Sequence, residues 1–265
     1  MRATLERLLG GPVELVELKR KPGRRRTLRA TGPCGRAIVK IYATPRAGAV
    51  ADRLGAIQDG PAEPRLPQVL HVDPDVGLLV LSEVDGEPLR YPVLSGDRGV
   101  CHRTGQVLAG WHRAWRGRPP DALPHHTAGR ELEALSRQAS LAPDGLGHRA
   151  LEEGRELVGH EWACATVVHR DLYEEQILLG PDGGVGLIDL DDAAAGPPEL
   201  DVGNLLAHLE LLAVRTGRNL QAEGDAVLDG YLSVAPSLDG QLLERCRRLT
   251  LLRLACIHRR PELTV

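Results

Sequence analysis

Phenylalanine is missing from all 265 residues, and methionine occurs once. Lysine is nearly missing too: Lys19, Lys21 and Lys40 are the three lysines among 33 basic residues. A genome rich in G and C would produce this bias. It makes each retained lysine informative, because arginine cannot replace lysine where a compact ammonium is needed. The five cysteines (Cys34, Cys101, Cys164, Cys246 and Cys256) include no CxxC pair. Their odd number and irregular spacing exclude a disulfide framework and a sequence-marked zinc site. A reduced, cytoplasmic compartment fits that usage. No apolar run reaches the ~18 residues of a membrane span, so no membrane partner is expected. The opening "MRATLERLLGG" lacks the continuous apolar core of a signal peptide. It reads as a short amphipathic helix with Leu5, Leu8 and Leu9 on one side. A net charge of −3 gives no electrostatic case for nucleic acid. The densest basic run, "KRKPGRRR", reads as a solvated hairpin tip.

The apolar fraction of 42% is enough for a sizeable core. A chain of this length forms one domain or two lobes with a cleft between them. Alternation and turn residues predict strands over 13–20, 26–30 and 36–43, joined by "KPG" and "TGPCG" as a β-meander. A helix is expected over 45–58, with Val50, Leu54 and Ile57 on its apolar side. Two further strands, 68–73 and 77–84, flank the turn "PDVG". Beyond "DGEPLRYP" the pattern becomes mostly helical: 101–115 (Val107, Leu108, Trp111 and Trp115 in one stripe), 128–139 and 145–162, then three helices near 201–215, 218–233 and 239–259. A strand–loop–strand segment, 163–190, interrupts the helices. The expected division is an N-terminal lobe over 1–88 and a C-terminal lobe over 89–265.

The interrupting segment carries the chemistry. "VVHRDLYEEQILL" opens like the kinase catalytic loop H-R-D-L-x-x-x-N, but Gln176 stands in the place of the asparagine. "GLIDLDD" follows, with Asp189 18 residues after Asp171. Apolar runs around each loop suggest paired strands, whose turns would bring both carboxylates to one end of a small sheet. One carboxylate could accept a hydroxyl proton, and the other could hold Mg²⁺ against nucleotide phosphates. Mg²⁺ needs only a few hard oxygens and keeps several waters. Glutamine keeps the amide of asparagine on a longer stem, so Gln176 can still offer a carbonyl oxygen. In "AIVKIYA", Lys40 is a charge among apolar strand residues. It fits the V-A-I-K pattern whose lysine meets nucleotide phosphates and a helix acid. Asp52 in the next helix is a candidate partner, and Glu63 falls in a loop.

"HRD", "LIDLDDAAAGPPELDVGNLL" and the helix "TGQVLAGWH" together resemble the aminoglycoside phosphotransferase and choline kinase-like superfamily of small-molecule kinases, over nearly the whole chain. The resemblance implies an α+β, protein-kinase-like bilobal fold, with a small antiparallel β lobe and a mostly helical lobe. It implies Asp171 as catalytic base, Gln176 and Asp189 as Mg²⁺ ligands, and Asp191 as a supporting or metal residue. Asp201 would brace the catalytic loop, and His169 would organise it from a buried position. "LSEVDGEPL" resembles the hinge, where the backbone of Glu83 and Val84 would hold the base of ATP or GTP. "KPGRRR" takes the place of the glycine-rich loop with one glycine instead of three, so an arginine would help its backbone meet phosphate.

Only 11 residues separate Asp189 from Asp201, and no A-P-E element lies between them. The platform for an extended peptide is therefore missing, which favours a small acceptor. Glu174, Glu175, Asp191 and Asp192 suggest a cationic acceptor such as an amino sugar, unless they face water or metal. Two other readings stay open: a kinase of a precursor peptide working with a protein partner, and a nucleotide-binding pseudokinase scaffold.

Overall fold

Tight turns set the first sheet. The computed structural model describes residues 1–159 and 162–264. β1 (Glu14–Lys21), β2 (Arg25–Gly32) and β3 (Gly35–Tyr42) follow one another as antiparallel neighbours. The first connection carries Gly23 at φ 67° and the second ends on Gly35 at φ 129°, conformations that favour glycine. β4 (Val69–Asp73) and β5 (Leu78–Ser82) complete a five-stranded sheet in the order β1-β2-β3-β5-β4. The central strand is therefore β3, which carries Lys40.

Both faces of this sheet are covered. α1 (Arg2–Leu8) lies on one face, where Leu5 and Leu9 pack with Leu28, Val39 and Val80. Leu8, expected on the same side, is exposed. α2 (Ala47–Ala56) lies on the other face, burying Val50 and Leu54, with Ile57 just past its end. Burying each such side chain stabilises by about 1.5–3 kcal/mol.

The second half is helical. α3 (Arg90–Ser95), which the sequence pattern did not announce, precedes α4 (Arg98–Ala114), α5 (Ala128–Ala139) and α6 (Asp144–Val158). α7 (Pro198–Thr216), α8 (Gln221–Val234) and α9 (Gly240–His258) close the chain. Positions 160–161, where the helix expected over 145–162 would end, lie outside the described residues. α4 starts where the Asp97 side chain accepts from the Val100 N–H, a standard N-cap. α4 and α8 approach closely at glycines: a Cβ on Gly105 would strike the Val227 carbonyl, and one on Gly230 would strike that of His102. Among the described residues, no helix is long and apolar enough to cross a membrane.

The strands of the interrupting segment pair differently from expectation. β7 (Thr166–Val168) pairs with β10 (Ala194–Gly196), which the chain reaches only after Asp189. β8 (Ile177–Leu179) and β9 (Val185–Leu187) form a hairpin, and β6 (Glu87–Pro88) adds to its β8 edge. Asp171 and Asp189 therefore sit on loops leaving two different small sheets. The returning chain takes the buried partner edge of β7, which the sequence pattern had assigned to β8. β6 also hydrogen-bonds across the 88/89 division.

Candidate active site

The loop after β7 is held by the first turns of α7. Asp201 is completely buried, and its two carboxylate oxygens accept from the backbone N–H groups of His169 (2.6 Å) and Arg170 (2.8 Å). The Asn204 amide donates to the Arg170 carbonyl. These bonds fix Arg170 at φ 74°, a left-handed conformation that an arginine holds only when its surroundings enforce it. Burial pushes the Asp201 carboxyl up, but the His112 hydrogen bond (3.2 Å) and charge outweigh that and hold it below the ordinary carboxylate value. His112 is fixed in turn by the Tyr231 hydroxyl at 2.9 Å. His169 is fully buried, and its Nε2 donates to the Ile188 carbonyl at 2.8 Å. That bond ties the Asp171 loop to the Asp189 loop.

Gln176 links the two loops a second time. Its carbonyl accepts from the Ile188 N–H at 3.0 Å, placing it beside the residue that precedes Asp189. Its side chain is buried, and Oε1 has no hydrogen-bond partner among the described residues. Asp189 follows β9 at φ 63° and opens a 3₁₀ turn over Leu190–Asp192. Its Oδ1 accepts from Lys40 Nζ at 2.8 Å. Its two oxygens also accept from the Arg25 guanidinium, at 2.8 and 3.0 Å. Burial pushes the Asp189 carboxyl up; the Lys40 charge and the Arg25 hydrogen bond pull it far below the ordinary range.

Asp191 completes the cluster. Its carboxylate accepts from Lys40, from Arg25 and from the Tyr42 hydroxyl (2.7 Å). Neither Asp52 nor Glu63 pairs with Lys40: the acids it meets are Asp189 and Asp191, and Glu63 pairs with Arg103. α2 instead supplies Arg53, which donates to the Asp191 carbonyl at 2.7 Å. Tyr42, Arg53, His112 and Asn204 escaped sequence reasoning. The one available signal was the i, i+3 pair Asp201/Asn204 on the first turns of α7.

Two cavities meet at this cluster. A large one, about 1060 Å³, is lined by Lys40, Glu83, Val84, Gln176 and Asp189, with Ile38, Leu81, Leu178 and Ile188 as apolar walls. No backbone hydrogen bond within the described residues uses the N–H or C=O of Val84. The Glu83 carboxylate is occupied by Arg29 (2.7 Å) and Arg36 (3.1 Å). A smaller, polar cavity of about 260 Å³ is lined by Asp171, Asp189, Asp191 and Asp192, with Arg24, Arg25 and Arg46. Asp171 is exposed there, and no hydrogen bond to its carboxylate forms among the described residues. Arg25 and Asp189 line both cavities.

The acids expected to attract a cationic acceptor are already engaged. Asp192 pairs with Arg46 (2.8 Å), Glu175 pairs with Arg90 (2.9 Å), and Asp191 serves Lys40 and Arg25. Glu174 is buried. None of these four is a free anion at the cavity around Asp171: three pair with cations and one is buried. Each of these carboxylates either neutralises a nearby cation or is withdrawn from solvent.

The antiparallel sheet, the helical half and the lysine–aspartate cluster between them define a protein-kinase-like fold. The model of the phosphotransferase enzyme family matches residues 23–248, and the chain belongs to that family. An N-acetylmuramate/N-acetylglucosamine kinase of Neisseria meningitidis serogroup B is 27% identical over 204 residues, covering 69% of this chain; the chain spans 58% of that relative's length. An aminoglycoside-3'-phosphotransferase of type VIII superimposes with a TM-score of 0.70 at 19% identity, over 91% of this chain and 93% of that one. An amicoumacin kinase in complex with AMP-PNP and Ca²⁺ gives 0.69 at 14% identity, over 92% and 80%.

Proposed function

We propose that the chain transfers the γ-phosphate of ATP or GTP to a hydroxyl of a small sugar. One observation carries this reading: the larger cavity, with Lys40 and Gln176, shares Arg25 and Asp189 with the smaller one, where the Asp171 carboxylate has no hydrogen bond among the described residues. In this reading, residues 1–88 and 89–265 are two lobes with the nucleotide between them. The base lies against Ile38, Leu81 and Leu178, with the unpaired backbone of Val84 at its edge. Lys40 meets the phosphates. Asp171 orients the acceptor hydroxyl and takes its proton. His169 and Asp201 hold the loop that presents Asp171.

The residues present fit Mg²⁺. Gln176 Oε1 is a buried carbonyl oxygen without a partner among the described residues, and Asp189, next to the Ile188 that the Gln176 backbone holds, lines the same cavity. Hard oxygens of this kind, few in number, suit Mg²⁺ completed by water and phosphate. A bound Mg²⁺ would neutralise charge developing on the phosphates. The AMP-PNP and Ca²⁺ of the amicoumacin kinase support a nucleotide with a divalent cation here.

The sugar is supported by the named substrates of the Neisseria relative and by the pairing of Asp192 with Arg46 and of Glu175 with Arg90, which engages acids that could otherwise draw a cationic acceptor. A peptide acceptor is disfavoured by the segment from Asp189 to α7, which is filled by a 3₁₀ turn and the three residues of β10. Cytoplasmic placement accords with a nucleotide-dependent reaction. The test is phosphate transfer from ATP and from GTP, with Mg²⁺, to a panel of neutral N-acetyl sugars and amino sugars, read by mass spectrometry. Transfer to a neutral sugar is expected. Nucleotide binding without transfer to any acceptor would support the pseudokinase alternative.

A further inference from the structure

We propose that Arg25 is a second cationic residue of the transfer site: it holds Asp189 while metal is absent and turns to the transferred phosphoryl group when metal and nucleotide arrive. This rests on the kinase reading above. Arg25 is the first residue of β2, directly after the turn that stands in place of a glycine-rich loop. That turn is a closed hairpin. Lys21 and Arg25 are paired across it, and the Arg24 N–H is spent on the Lys21 carbonyl at 3.0 Å. Its backbone is therefore poorly placed to cradle phosphate, and the positive charge comes from a side chain.

The geometry shows the first of these positions. Nη1 of Arg25 donates to Asp191 and to Asp189 Oδ1, and Nη2 donates to Asp189 Oδ2 at 3.0 Å. The guanidinium also lies 6.0 Å from the centroid of the Tyr42 ring, whose hydroxyl holds the same Asp191. Metal on Asp189 must take an oxygen that Arg25 now occupies. Nη1 can stay on Asp191 while Nη2 is released. The released donor stands at the boundary of the two cavities, the place a γ-phosphate must cross between nucleotide and acceptor. A planar guanidinium suits that task, because its fork matches phosphate oxygens.

In the transfer, the acceptor oxygen forms a bond to the γ-phosphorus while the bond to the β,γ-bridging oxygen breaks. The nucleoside diphosphate leaves with the electron pair, and the hydroxyl proton passes to Asp171. Arg25 exchanges no proton. It donates hydrogen bonds to equatorial oxygens whose charge grows in the transition state.

The two positions predict opposite effects of removing Arg25. Mn²⁺ binding without nucleotide, followed by the electron paramagnetic resonance of the free ion, should become several-fold tighter in Arg25→Ala, because a competing cation has gone. Turnover with ATP, Mg²⁺ and N-acetylglucosamine, read as ADP release, should fall by roughly 10²–10³-fold, with KM for ATP changing far less. Arg25→Lys keeps the charge without the fork. It should leave Mn²⁺ affinity close to wild type and recover little of the turnover, and it also serves if the alanine variant folds poorly. Unchanged Mn²⁺ affinity overturns the proposal, as does turnover retained within a few-fold or raised. If the wild type binds neither ATP nor GTP, the kinase reading fails, whereas the Mn²⁺ titration still reads Arg25.

Discussion

Gln176 concentrates the question of metal binding in one atom. A buried carbonyl oxygen without a partner costs about 1–3 kcal/mol, so its retention calls for a ligand or a bound water. If that ligand is Mg²⁺, Gln176→Ala raises the Mg²⁺ concentration needed for half-maximal rate, and Gln176→Asn raises it less because the amide remains. Superimposable titration curves for the three proteins would remove Gln176 from the metal site. Asp171 makes a different claim. It touches neither Lys40 nor Arg25, so Asp171→Asn should leave nucleotide affinity unchanged in calorimetry while turnover falls about 10²–10⁴-fold. Near-full turnover in that variant would show that another group takes the proton.

The elements that hold the loop are coupled through one buried polar chain. Glu131 on α5 accepts from His126 (2.9 Å) and from Arg253 on α9 (3.2 Å). Arg253 also donates to Asn204 on α7 at 3.1 Å, and Asn204 holds the Arg170 carbonyl. Burial pushes the Glu131 carboxyl up, yet the Arg253 charge and the His126 hydrogen bond prevail and lower it from 4.5 to about 2. A carboxyl with a lowered folded pKa stabilises the protein above its ordinary pKa and loses that contribution as pH falls through the folded one. Glu131→Gln should therefore unfold at a lower temperature at neutral pH, by about 3–5 kcal/mol if the buried pair is broken outright. The gap should narrow as pH drops from 4.5 toward 2. A gap that stays constant over that range would mean that packing, and not charge, holds α5 to α9.

This coupling also explains what the sequence disclosed and what it did not. Strands β1 to β5, the helices other than α3 and the HRD and LIDLDD loops are legible, because periodicity, local turn chemistry and short motifs specify them within a few residues of chain. Asp201 was legible through the family pattern. Arg25 is one of three consecutive arginines, and the pattern around Lys40 points to an acid on α2 where the structure supplies Asp189 and Asp191. Both differences have one source. Lys40 and Arg25 reach about 150 positions along the chain to Asp189 and Asp191, with sequence separations of 149 and 166 for two of those bonds. No local pattern records a contact made across a cleft. The pairing of β7 with β10 is hidden for the same reason: its partner arrives only after the Asp189 loop.

At the scale of the whole molecule, the sheet half and the helical half are bridged by charge beside the large cavity. Lys40 and Arg25 from the sheet half meet Asp189 and Asp191 from the helical half, two cations against two anions. A nucleotide with Mg²⁺ would enter that balance with contacts to both halves, because Lys40, Val84 and Asp189 line the same cavity. A ligand that binds only the folded chain stabilises it by mass action, about 2.7 kcal/mol at a hundred times Kd. For a chain of this size each kcal/mol is worth roughly 2–4 °C in Tm. Saturating ATP or GTP with Mg²⁺ should thus raise Tm by several degrees in a thermal-shift measurement. Asp189→Ala should keep a smaller rise that no longer depends on Mg²⁺ if the Asp189 carboxylate is what holds the metal. Lys40→Ala should keep the Mg²⁺ dependence and lose part of the rise, since a phosphate contact has gone. No rise with either nucleotide at millimolar concentration would remove the nucleotide from the cleft, and with it the kinase reading of this fold.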